Sequence, residues 1–283
     1  MSRSPINIVL SVSHRFECLN VFLDILKNNF QNKFVVHVFC NLEKNVLKQN
    51  LKLIDFSLID FFYNISDDQC VLHHKGKLEN RRRQPLDFFI NILRTISVDK
   101  KISKFIYSEC DQFPLNEKKY ILPLANLQKK QVKGRYIDLK SPKVPSGYLS
   151  PCPLYIHNEA SCDIINNLNL NRSAYLTKGF AFEGMVAQSI VHNKFIKFKS
   201  ISSYFICNYN YHNNLEPISC TTHQHNIFNL RNEFKKRKIK KGKWVQEILE
   251  KNKIKQWWDG LELNYDHELP CEIKPMLLHS SKK

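Results

Sequence analysis

Two near-continuous apolar runs, Asn7 to Val12 (NIVLSV) and Phe34 to Cys40 (FVVHVFC), stand one helix-length apart near the start of the chain. A strand with one wet face alternates apolar and polar residues. A run that is apolar at almost every position belongs to a strand covered on both faces, as in parallel sheets. Between the two runs, Cys18 to Lys27 reads as a helix. Strand, helix and strand in this compass have the size of a βαβ unit, of about 30 residues. The pattern predicts an open α/β sheet whose ligands bind beyond the carboxyl ends of its strands.

The rest of the chain continues the alternation. Leu53 to Tyr63 is apolar but of undecided type, Pro85 to Ser97 reads as a helix with proline near its first turn, and Phe105 to Tyr107 is the next strand. The stretch 141–153, SPKVPSGYLSPCP, carries the proline and glycine punctuation of a long loop. A strand at Leu154 to His157 follows, then helices at Ser161 to Leu168 and Phe180 to Val191. RNEFKKRKIKKGK, residues 231–243, holds eight basic residues and one acid. A boundary is expected there, dividing a catalytic-sized domain at 1–230 from a helical, basic C-terminal appendage at 231–283.

Composition removes several classes. With 283 residues, 43% of them hydrophobic, the chain can enclose a core without a metal or disulfide staple. Glycine numbers only 7, and neither GxGxxG nor GxxxxGK[ST] occurs, which argues against a glycine-rich phosphate loop. The nine cysteines form no CxxC pair, and several sit inside apolar runs such as HVFC and YFIC. Free thiols used as small core residues fit a reducing cytosol. The amino-terminal apolar run is too short for a signal peptide, and no segment reaches the roughly 18 apolar residues of a membrane span. A soluble cytoplasmic protein, or one peripheral at a membrane surface, is expected.

The stretch Lys104 to Leu115, KFIYSECDQFPL, places Glu109 and Asp111 where a buried strand should end. Carboxylates at i and i+2 of extended backbone share a face. Mg²⁺ and Mn²⁺ are often held by one or two carboxylates together with substrate phosphates. The pair therefore suits a cation held against a diphosphate, although ExD alone is also an ordinary solvated turn.

In order, NIVLSVSHR, a helix, FVVHVFCN, a basic segment before a helix, and KFIYSECDQFPL resemble the nucleotide-sugar-binding half of GT-A-fold glycosyltransferases. The resemblance covers residues 7 to about 115 and, more loosely, the chain to about 226. It implies a GT-A-like, Rossmann-like, mostly parallel sheet flanked by helices, with a nucleotide-sugar donor and a sugar or glycan acceptor as partners. Glu109 and Asp111 would hold Mn²⁺ or Mg²⁺ on the diphosphate, with glutamate where the family usually has aspartate. Ser11, Ser13 and Arg15, beside His14, follow the first strand, where the family contacts the nucleotide. His223 and His225 are candidates for a late metal or phosphate contact, and imidazole suits Mn²⁺.

Lys75, Lys77 and Arg81 to Arg83 are expected in a loop just before the helix that begins near Pro85, with Arg82 and Arg83 as phosphate candidates. Arginine offers a planar fork to phosphate, and a helix N-terminus adds partial positive charge. Glu183, among Phe180, Ala181, Phe182 and Met185, is the candidate base for an acceptor hydroxyl, placed where inverting members of the family often carry one. Each of these residues also has a plainer role, as a solvated basic loop, a surface imidazole or an acid favouring a helix start.

Lys and Arg total 43 against 26 acids, a formal charge of +17. Such a field draws polyanions in general. A nucleic-acid-binding protein is therefore the rival reading, but no recognisable nucleic-acid module is present and no specific nucleic-acid partner is expected. Phosphoryl transfer on the same acids ranks lower, because two-metal sites need more clustered carboxylates. The stripe KWVQEILEKNKIKQWW after the basic run suggests a peripheral contact with anionic membrane.

Overall fold

A computed structural model describes residues 5–12, 16–41, 47, 51, 54–64, 78–110, 112–114, 117–138, 140–150, 153–201, 205–206, 221–223 and 273–275. The strands are β1 (Ile6–Val12), β2 (Phe34–Cys40), β3 (Phe61–Asn64), β4 (Lys104–Glu109), β5 (Gln112–Pro114), β6 (Gln131–Gly134), β7 (Tyr136–Ile137), β8 (Tyr148–Leu149), β9 (Leu154–His157), β10 (Lys197–Ser200), β11 (Phe205–Ile206), β12 (Thr221–His223) and β13 (Ile273–Pro275). The helices are α1 (Phe16–Asn29), α2 (Leu78–Ser97), α3 (Glu117–Ala125), α4 (Glu159–Thr177) and α5 (Phe182–Ile190).

Among the described residues, eight strands form the main sheet in the order β10-β6-β9-β4-β1-β2-β3-β13. Five neighbour pairs are parallel; β9 alone runs against its neighbours β4 and β6. The expected mostly parallel sheet is therefore present, with one reversed strand, third from the β10 side. The predicted boundary near 230 falls outside the described residues. Within 231–283, the three residues of β13 form the outer strand beside β3.

Alternation along the strands divides the core into two layers. Ile8, Leu10, Val12, Val36, Val38 and Ile106 face one side, where α1 lays down Leu19, Phe22, Leu23 and Leu26 and α3 contributes Tyr120 and Leu124. Val9, Phe39, Phe105 and Tyr107 face the other, against Leu86, Phe89 and Leu93 of α2, Ile164 and Leu168 of α4, and Met185 and Val186 of α5. The helical residues recur every three to four positions, so each helix buries one stripe. Both faces of β1, β2 and β4 are thus dry, which is why their runs show no polar alternation.

The sequence places the start of α2 too late. The helix begins at Leu78, with Pro85 inside it, so Arg81, Arg82 and Arg83 belong to its first turns and not to a preceding loop. Proline costs one backbone hydrogen bond, to the carbonyl of residue 81, and the helix continues through it because its later turns bury a long apolar stripe. The 141–153 stretch is mainly loop as expected, but it also contributes β8, paired antiparallel with β7.

Candidate functional site

The carboxyl ends of the parallel strands β1 and β4 bring Ser11 and Glu109 together. In the β1–β4 register Ser11 lies opposite Glu109, and the Cys110 N–H donates to the Ser11 carbonyl at 3.2 Å. The Tyr107 hydroxyl donates to Ser11 Oγ at 3.1 Å in a buried contact, so the serine side chain is fixed from β4. Glu109 is half-buried, and by alternation it shares the face of Tyr107, toward α2 and α5. The neighbouring strand ends add Asn41, which is buried and whose N–H donates to the Val12 carbonyl at 3.4 Å.

Helix α2 brings its amino terminus to this same end. Only residues 98–103 separate it from β4, and Asn158, at the carboxyl end of β9, donates through Nδ2 to Ile102 O at 2.8 Å and Ile96 O at 3.3 Å. The carboxyl end of α2 therefore sits at the start of β4, and the helix runs back toward the strand's end. Phe89 packs edge-on against Tyr107 with ring centroids 5.0 Å apart. From Phe89, the backbone of Arg82 and Arg83 lies about 10 Å further along the axis at 1.5 Å per residue. Glu109 lies about 7 Å beyond Tyr107 at the strand rise. The basic first turns of α2 thus stand level with and slightly above the acidic strand end, with the helix's positive pole directed there.

Glu183 arrives by a third route. Helix α4 ends with Gly179 at φ +68°, the left-handed conformation that glycine adopts without strain. There the Gly179 N–H donates to Leu176 O and the Phe180 N–H to Tyr175 O, both at 3.0 Å, and the Tyr175 and Phe180 rings stack at 5.7 Å. This cap turns the chain straight into α5, whose first turn carries Glu183, half-buried. Phe182 packs on Phe89 at 5.6 Å, so rings lead from α5 through Phe89 to Tyr107 and Ser11.

A strap closes over the start of α5. The Ala181 N–H donates to Lys143 O at 2.8 Å, and a Cβ on Gly184 would meet that carbonyl oxygen at 2.9 Å and Val144 Cα at 3.0 Å. Ser146 is held from three sides: its hydroxyl bonds Gln188, while its carbonyl accepts from Tyr136 at 2.9 Å and from His192 Nε2 at 3.0 Å. The loop leads into β9, which starts at the end where β4 finishes.

The structure also brings a distant strand to the acidic motif. β12 pairs antiparallel with β5, and His223 lies opposite Gln112, the residue after Asp111. Asp111 itself, Ser13, Arg15 and His225 lie outside the described residues, as do His14, Lys75 and Lys77. Among the described residues, no three His, Cys, Asp or Glu side chains cluster as metal ligands. Of the sequence candidates, Ser11 and Glu109 are neighbours, Arg82 and Arg83 share their end of the sheet through the helix backbone, Glu183 is linked by the ring chain, and His223 is linked by strand pairing. Sequence reasoning misses Tyr107 and Phe89, which look like any core aromatics, and Arg135, which directly follows β6 at the same end of the sheet.

Comparison with known proteins supports the architecture. Over 77% of this chain and 86% of the other, the structure superposes on the galactosyltransferase LgtC in complex with donor and acceptor sugar analogues, with a TM-score of 0.51 and 9% identity. An active-site mutant of LgtC gives a TM-score of 0.51 at 8% identity over the same shares. Mouse xyloside xylosyltransferase 1 in its apo form matches over 78% of this chain and 97% of that one, with a TM-score of 0.48 and 8% identity. No family model matches the sequence. No curated protein matches it either. The strand order, the reversed β9 and the superposition on LgtC agree that the chain has a GT-A-like glycosyltransferase fold.

Proposed function

We propose that the protein transfers a sugar from a nucleotide-sugar donor to a sugar or glycan acceptor, with Mn²⁺ or Mg²⁺ as cofactor. The observation that carries this reading is the convergence, at one end of the sheet, of Glu109, the basic first turns of α2 and the first turn of α5 bearing Glu183. A carboxylate, a helix N-terminus rich in arginine and a half-buried acid are the groups that transfer from a diphosphate leaving group requires.

The donor set fits a divalent cation. Glu109 is a half-buried acid two positions before Asp111 in the sequence, and β12 sets His223 opposite Gln112, the residue after that pair. Two carboxylates with imidazole suit Mn²⁺ well and Mg²⁺ through the oxygens. A cation held by Glu109 and Asp111, with His223 or His225, supplies positive charge to the donor's diphosphate.

The chain's own residues do the remaining work. Ser11, fixed by Tyr107, and Ser13 hydrogen-bond the nucleoside, and Arg15 reaches its phosphate. Arg82 and Arg83 offset negative charge as the diphosphate departs, assisted by the α2 pole. The sugar carbon gains oxocarbenium character as the bond to phosphate lengthens. Glu183 takes the proton of the acceptor hydroxyl that attacks that carbon.

The direct test is release of nucleoside diphosphate from a panel of nucleotide-sugars, with and without a chelator. One donor should turn over, chelation should abolish turnover, and Mn²⁺ should restore it. Turnover of no donor across metals and acceptors would count against the reading.

A further inference from the structure

The outer strand β10 sits in the stretch Asn193 to Ser200, NKFIKFKS. Ile196 is buried and Phe198 half-buried, which anchors the strand, while Lys194, Phe195, Lys197 and Lys199 are exposed. Phe195 keeps 60% of its surface in solvent, with Lys194 Nζ 5.1 Å from the ring centroid.

The local acids are already engaged. Lys129 pairs with Glu159 at 3.2 Å and Lys130 with Asp163 at 3.1 Å, whereas Lys194, Lys197 and Lys199 form no ion pair with a described residue. Lys199 lies opposite Lys133 in the β10–β6 register. Burial holds Lys133 below its ordinary pKa, and repulsion from Lys199 and Lys104 lowers it further. This edge therefore concentrates positive charge that the described residues do not balance.

Lysines on an edge strand also guard against edge-to-edge pairing, which accounts for the charge. It does not account for a phenyl ring left projecting among them. An aromatic ring flanked by ammonium groups suits the headgroup boundary of a bilayer, where the ring enters the apolar margin and the ammonium groups meet phosphates. Proteins that track single-stranded nucleic acid instead present successive rings along a groove.

We propose that the β10 edge, through Lys194, Phe195, Lys197 and Lys199, docks on an anionic lipid bilayer. β10 is parallel to β6, and β6 and β4 both oppose β9, so Ser200 points to the same end of the sheet as Glu109. Lys194 and Phe195 precede β10 and lie toward the other end of that edge. The proposal draws on residues other than the basic run at 231–243 and does not depend on the transferase reading.

The test is co-sedimentation of the full chain with phosphatidylcholine vesicles, with and without phosphatidylserine, with folding of each variant checked by circular dichroism. The wild type should bind only vesicles that contain phosphatidylserine. Changing Lys194, Lys197 and Lys199 together to Glu should weaken binding by on the order of a hundredfold, at about fivefold or more per lysine. Phe195→Ser, which leaves charge unchanged, should weaken it by about tenfold through lost burial of the ring. The same charge change at exposed Lys100, Lys101 and Lys118 should cost much less. Equal loss in that control would show that only net charge matters and overturn the proposal. So would unaltered binding of both β10 variants, or binding to single-stranded RNA without binding to vesicles.

Discussion

Glu183 owes its position to its neighbours on either side. Phe182 fixes the start of α5 against Phe89, and Gly184 lets the strap carbonyl of Lys143 approach the helix, so the backbone that carries Glu183 is held on both sides. Glu183→Gln keeps the shape and removes the capacity to accept a proton. Turnover should fall by about 10²- to 10⁴-fold, the usual contribution of a general base. The melting temperature should stay at the wild-type value. Unchanged turnover would remove Glu183 from the mechanism and leave the donor site untouched. At this scale the sequence reveals the acids, because Glu109 and Glu183 interrupt apolar stretches. It does not reveal Tyr107, whose hydroxyl matters only once β4 lies beside β1 and meets Ser11.

Elements are tied down at their ends, and two of those ends can be tested. At α5, Gly184→Ala would gain helix propensity, but its Cβ would press on backbone atoms of Lys143 and Val144, which cannot rotate away. A net loss of about 1–3 kcal/mol is expected from this overpacking, read by urea unfolding. At α3, Glu117 Oε1 accepts from the Gln31 N–H at 2.9 Å, the Asn32 N–H at 2.8 Å and Asn32 Nδ2 at 2.6 Å, tying the helix start to the turn before β2. Burial pushes the carboxyl pKa up, but the Asn32 side chain and the two backbone donors outweigh it and hold the group below its ordinary value. A carboxyl with a lowered folded-state pKa stabilises the fold above the ordinary carboxylate range, and that contribution disappears as pH falls through the lowered value. Glu117→Gln should therefore reduce the melting temperature at neutral pH and flatten its decline on acidification; parallel curves for both proteins would contradict this.

Elements also show what a local reading can reach. β1, β2 and β9 follow from their apolar runs, and β4 from FIY. Strands such as QVKG in β6 and KFKS in β10 are short and polar, and they exist because β9 supplies β6 with a partner and β6 supplies one to β10. The early start of α2 escapes notice because a proline that usually opens a helix here lies inside one.

Across the described residues helices cover both faces of the sheet, the candidate site lies at the carboxyl end of its parallel strands, and one edge carries lysines that pair with no described acid. Alternating strands and helices suffice to predict the layers. They cannot predict that β12 returns to β5, or that β13 extends the sheet beside β3, because both pairings join segments far apart in the chain and too short to carry a pattern. The β12–β5 pairing decides whether His223 lies near the acidic motif, so that part of the candidate site becomes visible only in three dimensions. The formal charge of +17 favours approach of anionic donors and surfaces alike without choosing between them. Among the described residues no helix is long and apolar enough to cross a membrane.

The central claim is a metal-dependent nucleotide-sugar site at the end of β4. The measurement that reaches it most directly is a thermal-shift titration with UDP, GDP, CMP and dTDP-type nucleotides, each with and without Mn²⁺, on wild-type and Asp111→Ala protein. A ligand that binds only the native state raises the melting temperature, by roughly 2.7 kcal/mol of added stability at a hundredfold excess over its Kd. The account predicts that one nucleotide together with Mn²⁺ stabilises the wild type, and that Asp111→Ala folds normally but loses the shift. An equal shift in Asp111→Ala, or no shift with any nucleotide and metal, would contradict it.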